Sequence, residues 1–129
     1  ARNLGVDSRA DFHCCSWSEE DFAARFADSF DLIVTNPPYI CSAEIAGLEV
    51  EVRKFDPREA LDGGENGLIC YEQIARIAPG LLRSGGKIFI EAGAGQAPAI
   101  SGIFTSNGLK FEKTVPDLNG IERCVILKK

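Results

Sequence analysis

Apolar and polar positions follow two different periods along this chain. Phe30 to Thr35 contains the continuous apolar run Leu32-Ile33-Val34, which predicts a strand buried on both faces, as in a parallel sheet. Gly67 to Leu82 sets Leu68, Tyr71, Ile74, Ala75, Ala78, Leu81 and Leu82 at the i, i+3, i+4 spacing of an amphipathic helix. Pro79 is expected to kink that helix or end its regular part, because it has no N–H to give and crowds the preceding turn. Ser84-Gly85-Gly86 reads as a turn, and Lys87 to Glu91 as a second buried strand. Ala97 to Ser106 carries Ile100, Ile103 and Phe104 on one helical face, and Asn107-Gly108 suits its C-cap. Leu109 to Val115 and Ile121 to Leu127 are β-like, and the loop Pro116 to Gly120 between them is short enough for an antiparallel hairpin. Near the start, Ala10 to Cys15 fits a short strand, and Ser16 to Phe26 fits a loop and short helix. Ala1 to Gly5 reads as the tail of a helix stopped by Gly5. Asn36 to Asn66 is long, polar and rich in Pro and Gly.

Alternating strands and helices that end in a strand pair indicate an α/β sheet, mostly parallel, with an antiparallel hairpin at its C-terminal end. The 129 residues suffice for one domain with a real core. Open sheets of this kind bind ligands beyond the carboxyl ends of their strands. That rule selects the loop after Val34 and the loop after Ile90.

The first of these loops is Thr35-Asn36-Pro37-Pro38-Tyr39-Ile40. Two consecutive prolines hold φ near −65° and push each preceding residue out of the helical region. The backbone is therefore stiff, extended and rich in unpaired carbonyls. Asn36 adds a side-chain acceptor and Tyr39 a flat aromatic wall. A planar group bearing –NH2 can lie on the tyrosine and point its two N–H bonds at the Asn36 side-chain oxygen and the Pro37 carbonyl. Such contacts fix the direction of the nitrogen lone pair, which supplies proximity and orientation for transfer to nitrogen. The same carbonyl dipoles stabilise positive charge developing there.

Composition narrows the partners. Net charge is −5, which counts against nucleic acid as a direct substrate, since that affinity rests on Lys and Arg neutralising phosphates. Cys14, Cys15, Cys41, Cys70 and Cys124 are odd in number and form no CxxC, so they read as reduced thiols of a cytoplasmic protein. His13 is the only histidine, and no metal site is expected. No apolar run approaches the roughly 20 residues of a membrane helix.

Phe30 to Ile40, centred on Asn36-Pro37-Pro38-Tyr39, resembles motif IV of the class I N-methyltransferases, shared by adenine-N6 DNA methyltransferases and protein glutamine methyltransferases. Ala43 to Arg53 and Asp56 to Leu68 are similar to the HemK/PrmC family, which methylates the glutamine of the Gly-Gly-Gln loop in peptide chain release factors. Pro79 to Gly86, Glu91-Ala92-Gly93 and Asp117 to Arg123 extend the resemblance over nearly the whole chain. It implies a single, N-terminally truncated methyltransferase domain over residues 1–129, with a Rossmann-like fold. It implies S-adenosyl-L-methionine as methyl donor and a release factor as protein substrate. Asn36 and Pro37 would then be the catalytic residues, with Pro38 and Tyr39 completing the substrate site. On the donor side the resemblance points to Ser16, Trp17 and Asn36. Family members carry an Asp before an aromatic residue where this chain reads Cys15-Ser16-Trp17, so Ser16 lacks the carboxylate while Trp17 remains a stacking wall for adenine.

The glycine-rich donor loop of the family is absent, and Gly93-x-Gly95 follows the wrong strand to replace it. The isolated chain is therefore expected to be inactive. The strand at Ala10 to Cys15 would then lack its neighbour and the strand at Leu32 to Thr35 would keep one open edge, so dimerisation through that edge, strand rearrangement or poor order near residues 1–26 is expected. Asp62-Gly63-Gly64 reads either as a lid over the substrate or as a turn and N-cap for a helix starting near Asn66. Glu91 ends a strand at the ligand face. Glu49, Glu51, Arg53 and Lys54 form a solvated charged face. Two other functional readings stay open: a nucleic-acid amino-methyltransferase of the adenine-N6 type, and a non-catalytic remnant serving as an interaction module.

Overall fold

The computed structural model describes residues 1–129. Four strands form one sheet in the order β1-β2-β4-β3, with β1 at Phe30–Thr35, β2 at Leu82–Glu91, β3 at Lys110–Pro116 and β4 at Glu122–Lys128. The helices are α1 at Phe22–Arg25, α2 at Val50–Phe55, α3 at Ile69–Leu81 and α4 at Ala97–Ser106. β1 and β2 are parallel, and β4 lies antiparallel to both β2 and β3. Three strands thus share one direction and β4 is slotted between two of them in the opposite one, which is the α/β arrangement expected from the element order. None of the helices is long and apolar enough to cross a membrane.

The register explains which side chains are buried. Ile33 and Thr35 sit beside Ile88 and Ile90, which in turn sit beside Leu127 and Val125. Side chains two apart along a strand share a face, so these residues all point the same way. Against that face α3 lays Tyr71, Ile74, Ala75 and Ala78, and α4 lays Ala97, Ile100 and Phe104, in one apolar cluster. Burying each large apolar side chain fully contributes about 1.5–3 kcal/mol, so this layer dominates the stability of the fold.

Five local expectations change. Leu32 and Val34 are not buried on both sides: they lie on the face away from α3 and α4 and are 53% and 74% exposed. Their face is open because the apolar cluster of α3 and α4 packs on the other face of the sheet, beside Ile33, Ile88 and Ile90. Ala10 to Cys15 is not a strand and stands outside the sheet, with no neighbour to bond its backbone. Ser84 to Gly86 is not a turn between elements but a bulge inside β2. Phe30 pairs with Leu82 and Leu32 with Lys87, leaving Arg83–Gly86 opposite Asp31 alone. Gly85 absorbs the bend at φ 81°, a conformation glycine adopts without a Cβ penalty. α3 includes Pro79 but ends two residues after it, at Leu81, one residue short of the expected bound. Ala1 to Gly5 is one 3-10 turn, Arg2–Leu4, closed by Gly5 at φ 64°.

Candidate active site

The carboxyl ends of β1 and β2 lie side by side, and the Asn36–Tyr39 segment leaves the first of them. Pro37 is buried, Pro38 and Tyr39 are half-buried and Asn36 is exposed. Two clefts meet at this segment. The larger, about 730 Å³, is walled by the open face of β1 and β2 (Val34, Phe89) and rimmed by Asn36, Tyr39, Glu91 and Arg123. The smaller, about 160 Å³, is lined by Asn36, Pro37, Tyr39, Ile40, Ala60 and Leu61. Asn36 and Tyr39 belong to both, so they stand where the two clefts join.

The chain after Tyr39 is stitched to the Asp62–Gly64 turn. The Ile40 N–H donates to the Leu61 carbonyl at 3.0 Å, the Gly63 N–H to the Ile40 carbonyl at 2.9 Å and the Ser42 N–H to the Gly64 carbonyl at 2.9 Å. The Asp62 carboxylate closes the turn. Its Oδ1 accepts from the Ser42 hydroxyl at 2.6 Å and the Gly64 N–H at 3.0 Å, and its Oδ2 from Arg58 Nε at 3.2 Å. The Ser42 hydrogen bond, then the Gly64 N–H and Arg58, hold this carboxyl below its ordinary range. Asp62-Gly63-Gly64 is therefore a turn that buttresses the site. It does not cap the following helix: Asn66 accepts from the Leu68 N–H at 2.9 Å, and α3 begins only at Ile69.

Glycines let the backbones close up. A Cβ on Gly63 would come within 2.8 Å of the Tyr39 Cα and 2.9 Å of the Pro38 carbonyl oxygen. A Cβ on Gly93 would press within 3.0 Å of the Tyr39 ring. Gly93 is thus the bed on which Tyr39 lies, which explains a glycine that the absence of a donor-loop pattern had left without a role. Of the carbonyls in this stretch, Tyr39 and Ile40 accept from Gln96 and Gly63, whereas none of the hydrogen bonds of the chain ends on Pro37. Neither the Pro37 carbonyl nor the Asn36 side chain is engaged by another group of the chain, and both residues line the smaller cleft.

Ser16 and Trp17 do not join this constellation. Neither lines a cleft at Asn36. The Trp17 indole packs on the core cluster and donates to Gln73 Oε1 on α3 at 3.1 Å. Ser16 is engaged locally, its N–H donating to Glu19 and its hydroxyl meeting Ser18. Without a sheet neighbour for Ala10 to Cys15, nothing directs the following residues to the strand ends. Glu91 does line the larger cleft, while Glu49, Glu51, Arg53 and Lys54 are all exposed. Sequence reasoning missed Gln96, whose side-chain amide N–H bonds go to carbonyls 57 and 29 positions away.

No protein-family model matches the chain. Among solved structures, a Thermus thermophilus protein assigned as a DNA modification methylase superposes with a TM-score of 0.55, over 84% of this chain and 49% of that one, at 19% identity. The mixed α/β sheet is thus a fold shared with part of that protein. A release factor glutamine methyltransferase of Rhodospirillum rubrum is 46% identical over 129 residues, all of this chain and 38% of the relative. One from Cereibacter sphaeroides is 43% identical over 125 residues, covering 97% of this chain and 43% of the relative. Over its whole length the chain is thus similar to release factor glutamine methyltransferases, and it spans about four-tenths of the length of these relatives.

Proposed function

We propose that this chain carries the acceptor half of a protein glutamine N-methyltransferase, acting on the side-chain amide nitrogen of a glutamine in the Gly-Gly-Gln loop of a release factor. The observation that carries the reading is the pair of acceptors left at Asn36 and Pro37 beside the Tyr39 ring, where two clefts meet. The glutamine side chain enters the smaller cleft. Its –NH2 donates one N–H to the Asn36 side-chain oxygen and the other to the Pro37 carbonyl. An amide nitrogen is a weak nucleophile, because its lone pair is delocalised into the carbonyl. Holding both N–H bonds fixes the amide plane and turns the lone pair towards the larger cleft. As the nitrogen becomes positive, the two acceptor dipoles stabilise it until its extra proton is lost to water.

The family implies S-adenosyl-L-methionine, which when bound supplies an electrophilic methyl group. The residues present fit only one side of that molecule. Asn36 and the β1 face can wall it, but Ser16 and Trp17 lie elsewhere and no glycine-rich donor loop adjoins the larger cleft. These 129 residues therefore do not form a complete donor site.

The reading is tested with the full-length protein, tritiated donor and release factor. Asn36→Ala should lower transfer about 100-fold or more while leaving donor affinity nearly intact. Weakened donor affinity with kcat retained at saturating donor would misplace the role of Asn36. A second reading, transfer to the amino group of adenine, shares the planar –NH2 geometry, but the net charge of −5 weighs against it. Adenine-containing DNA offered in the same assay separates the two.

A further inference from the structure

The Asn36–Tyr39 segment has to hold its acceptors in place, yet its prolines can donate nothing to a neighbouring element. Its one side-chain anchor is Gln96, the residue just before α4. Gln96 Nε2 donates to the Tyr39 carbonyl at 3.1 Å and reaches the Gly67 carbonyl at 3.5 Å. Gln96 Oε1 accepts from the Gly93 N–H at 3.1 Å, while the Gln96 backbone N–H donates to the Gly93 carbonyl at 3.0 Å. The side chain is thus locked to the turn that follows β2.

That turn is itself fixed from two directions. The Tyr71 hydroxyl on α3 donates to the Glu91 carbonyl at 2.9 Å. The Ala92 N–H donates to the Arg123 carbonyl at 2.9 Å, and the Arg123 side chain returns a bond to the Ala92 carbonyl at 3.2 Å. Rigid core therefore runs through β2 to Gln96, and through Gln96 to Tyr39. Only a primary amide meets both demands at this position. It has N–H donors for two carbonyls and an oxygen for one N–H, in a single plane. A carboxylate only accepts and an ammonium only donates.

We propose that Gln96 is a positioning residue for the acceptor site: by gripping the Tyr39 carbonyl from the β2 turn, it sets where the Asn36 and Pro37 acceptors meet the acceptor nitrogen. The inference rests on the acceptor-site reading for its effect on turnover, but the grip itself is measurable without turnover.

The test uses the full-length protein and two variants. Gln96→Glu keeps the shape and the acceptor for Gly93, but when ionised loses the donor and faces two carbonyls. Gln96→Met keeps the length and has neither donor nor strong acceptor. At pH 8, amide exchange at Ile40, Ser42 and Gly63 should be about tenfold faster in both variants, the effect of one hydrogen bond lost. Methyl transfer to the glutamine substrate should fall about 10- to 100-fold in kcat, with KM for the donor unchanged. As pH falls, the carboxyl introduced by Gln96→Glu protonates and can donate again, so the activity ratio of that variant to the unsubstituted protein should rise. The ratio for Gln96→Met should stay flat. Unchanged exchange and kcat in Gln96→Glu at pH 8, or ratios without pH dependence, overturn the proposal. Global unfolding of both variants would also overturn it, by assigning Gln96 a general structural role. If the unsubstituted protein transfers nothing to glutamine, the proposed activity fails, while the exchange result still decides whether Gln96 holds the loop.

Discussion

At the scale of single residues, the site depends on two kinds of restraint. Asn36, Pro37, Pro38 and Tyr39 are stiffened by the two prolines among them, so a rigid, extended segment at the end of β1 was legible in four consecutive letters. Gly63, Gly93 and Gln96 act by touching that segment from far along the chain, and nothing in their local pattern announces it. Asp62 is an intermediate case, readable as a turn residue but not as the anchor for Ser42. Its carboxyl has a depressed value in the folded chain, so it stabilises the fold fully above the unfolded value of about 3.9. That contribution is lost as pH falls towards and through the lower folded value. Asp21 and Asp117 are depressed as well, so acid sensitivity of the whole chain does not isolate Asp62. The difference between the chain and its Asp62→Asn variant does. Thermal melting from about pH 6 to about pH 2 should show the parent losing Tm more steeply than the variant below about pH 4. Parallel curves would show that the Ser42 and Gly64 bonds do not need the carboxylate.

At the scale of elements, the hydrophobic pattern located β1, α3, α4 and the closing hairpin because each has a period that its burial enforces. α4 was placed at its observed bounds, Ala97–Ser106. The pattern failed where a partner decides the outcome. Leu32-Ile33-Val34 carries the composition of a central strand, but β1 is at the edge of this sheet with Leu32 and Val34 half or more exposed. Ala10 to Cys15 has strand-like residues and no strand beside it. An apolar edge strand with free N–H and C=O groups is a template for another chain. We therefore propose that the 129 residues self-associate through β1. Sedimentation velocity should show association that grows with concentration and disappears in Val34→Lys. Because Val34 is 74% exposed, the substitution should change stability by no more than about 0.5 kcal/mol. A single monomeric species at every concentration would remove this interface.

At the scale of the whole molecule, the two clefts divide the chemistry unequally. The smaller is closed by residues of this chain on several sides: the proline segment, Ala60 and Leu61, with the Asp62–Gly64 turn behind. The larger has a floor in the outer face of β1 and β2 and a rim in Glu91 and Arg123, but no opposing wall. A donor the size of S-adenosyl-L-methionine needs most of its surface buried to bind well, as drug-sized ligands do in general. One exposed sheet face and one asparagine give it little to bury against, and Trp17, the aromatic expected to stack on its adenine, is occupied with α3 through Gln73. The 129 residues alone should therefore show no micromolar binding of the donor by isothermal titration, and no transfer to a glutamine peptide. The acceptor site should nonetheless be formed, because its restraints all come from within the chain. Amide exchange at Ile40, Ser42 and Gly63 should be slow in this segment and little changed in the full-length protein. Micromolar donor binding to the isolated chain would mean that the β1 face is a sufficient wall. Rapid exchange at those amides would mean instead that the acceptor site is ordered only when the donor side is present, and that the Gln96 grip is too weak to hold it alone.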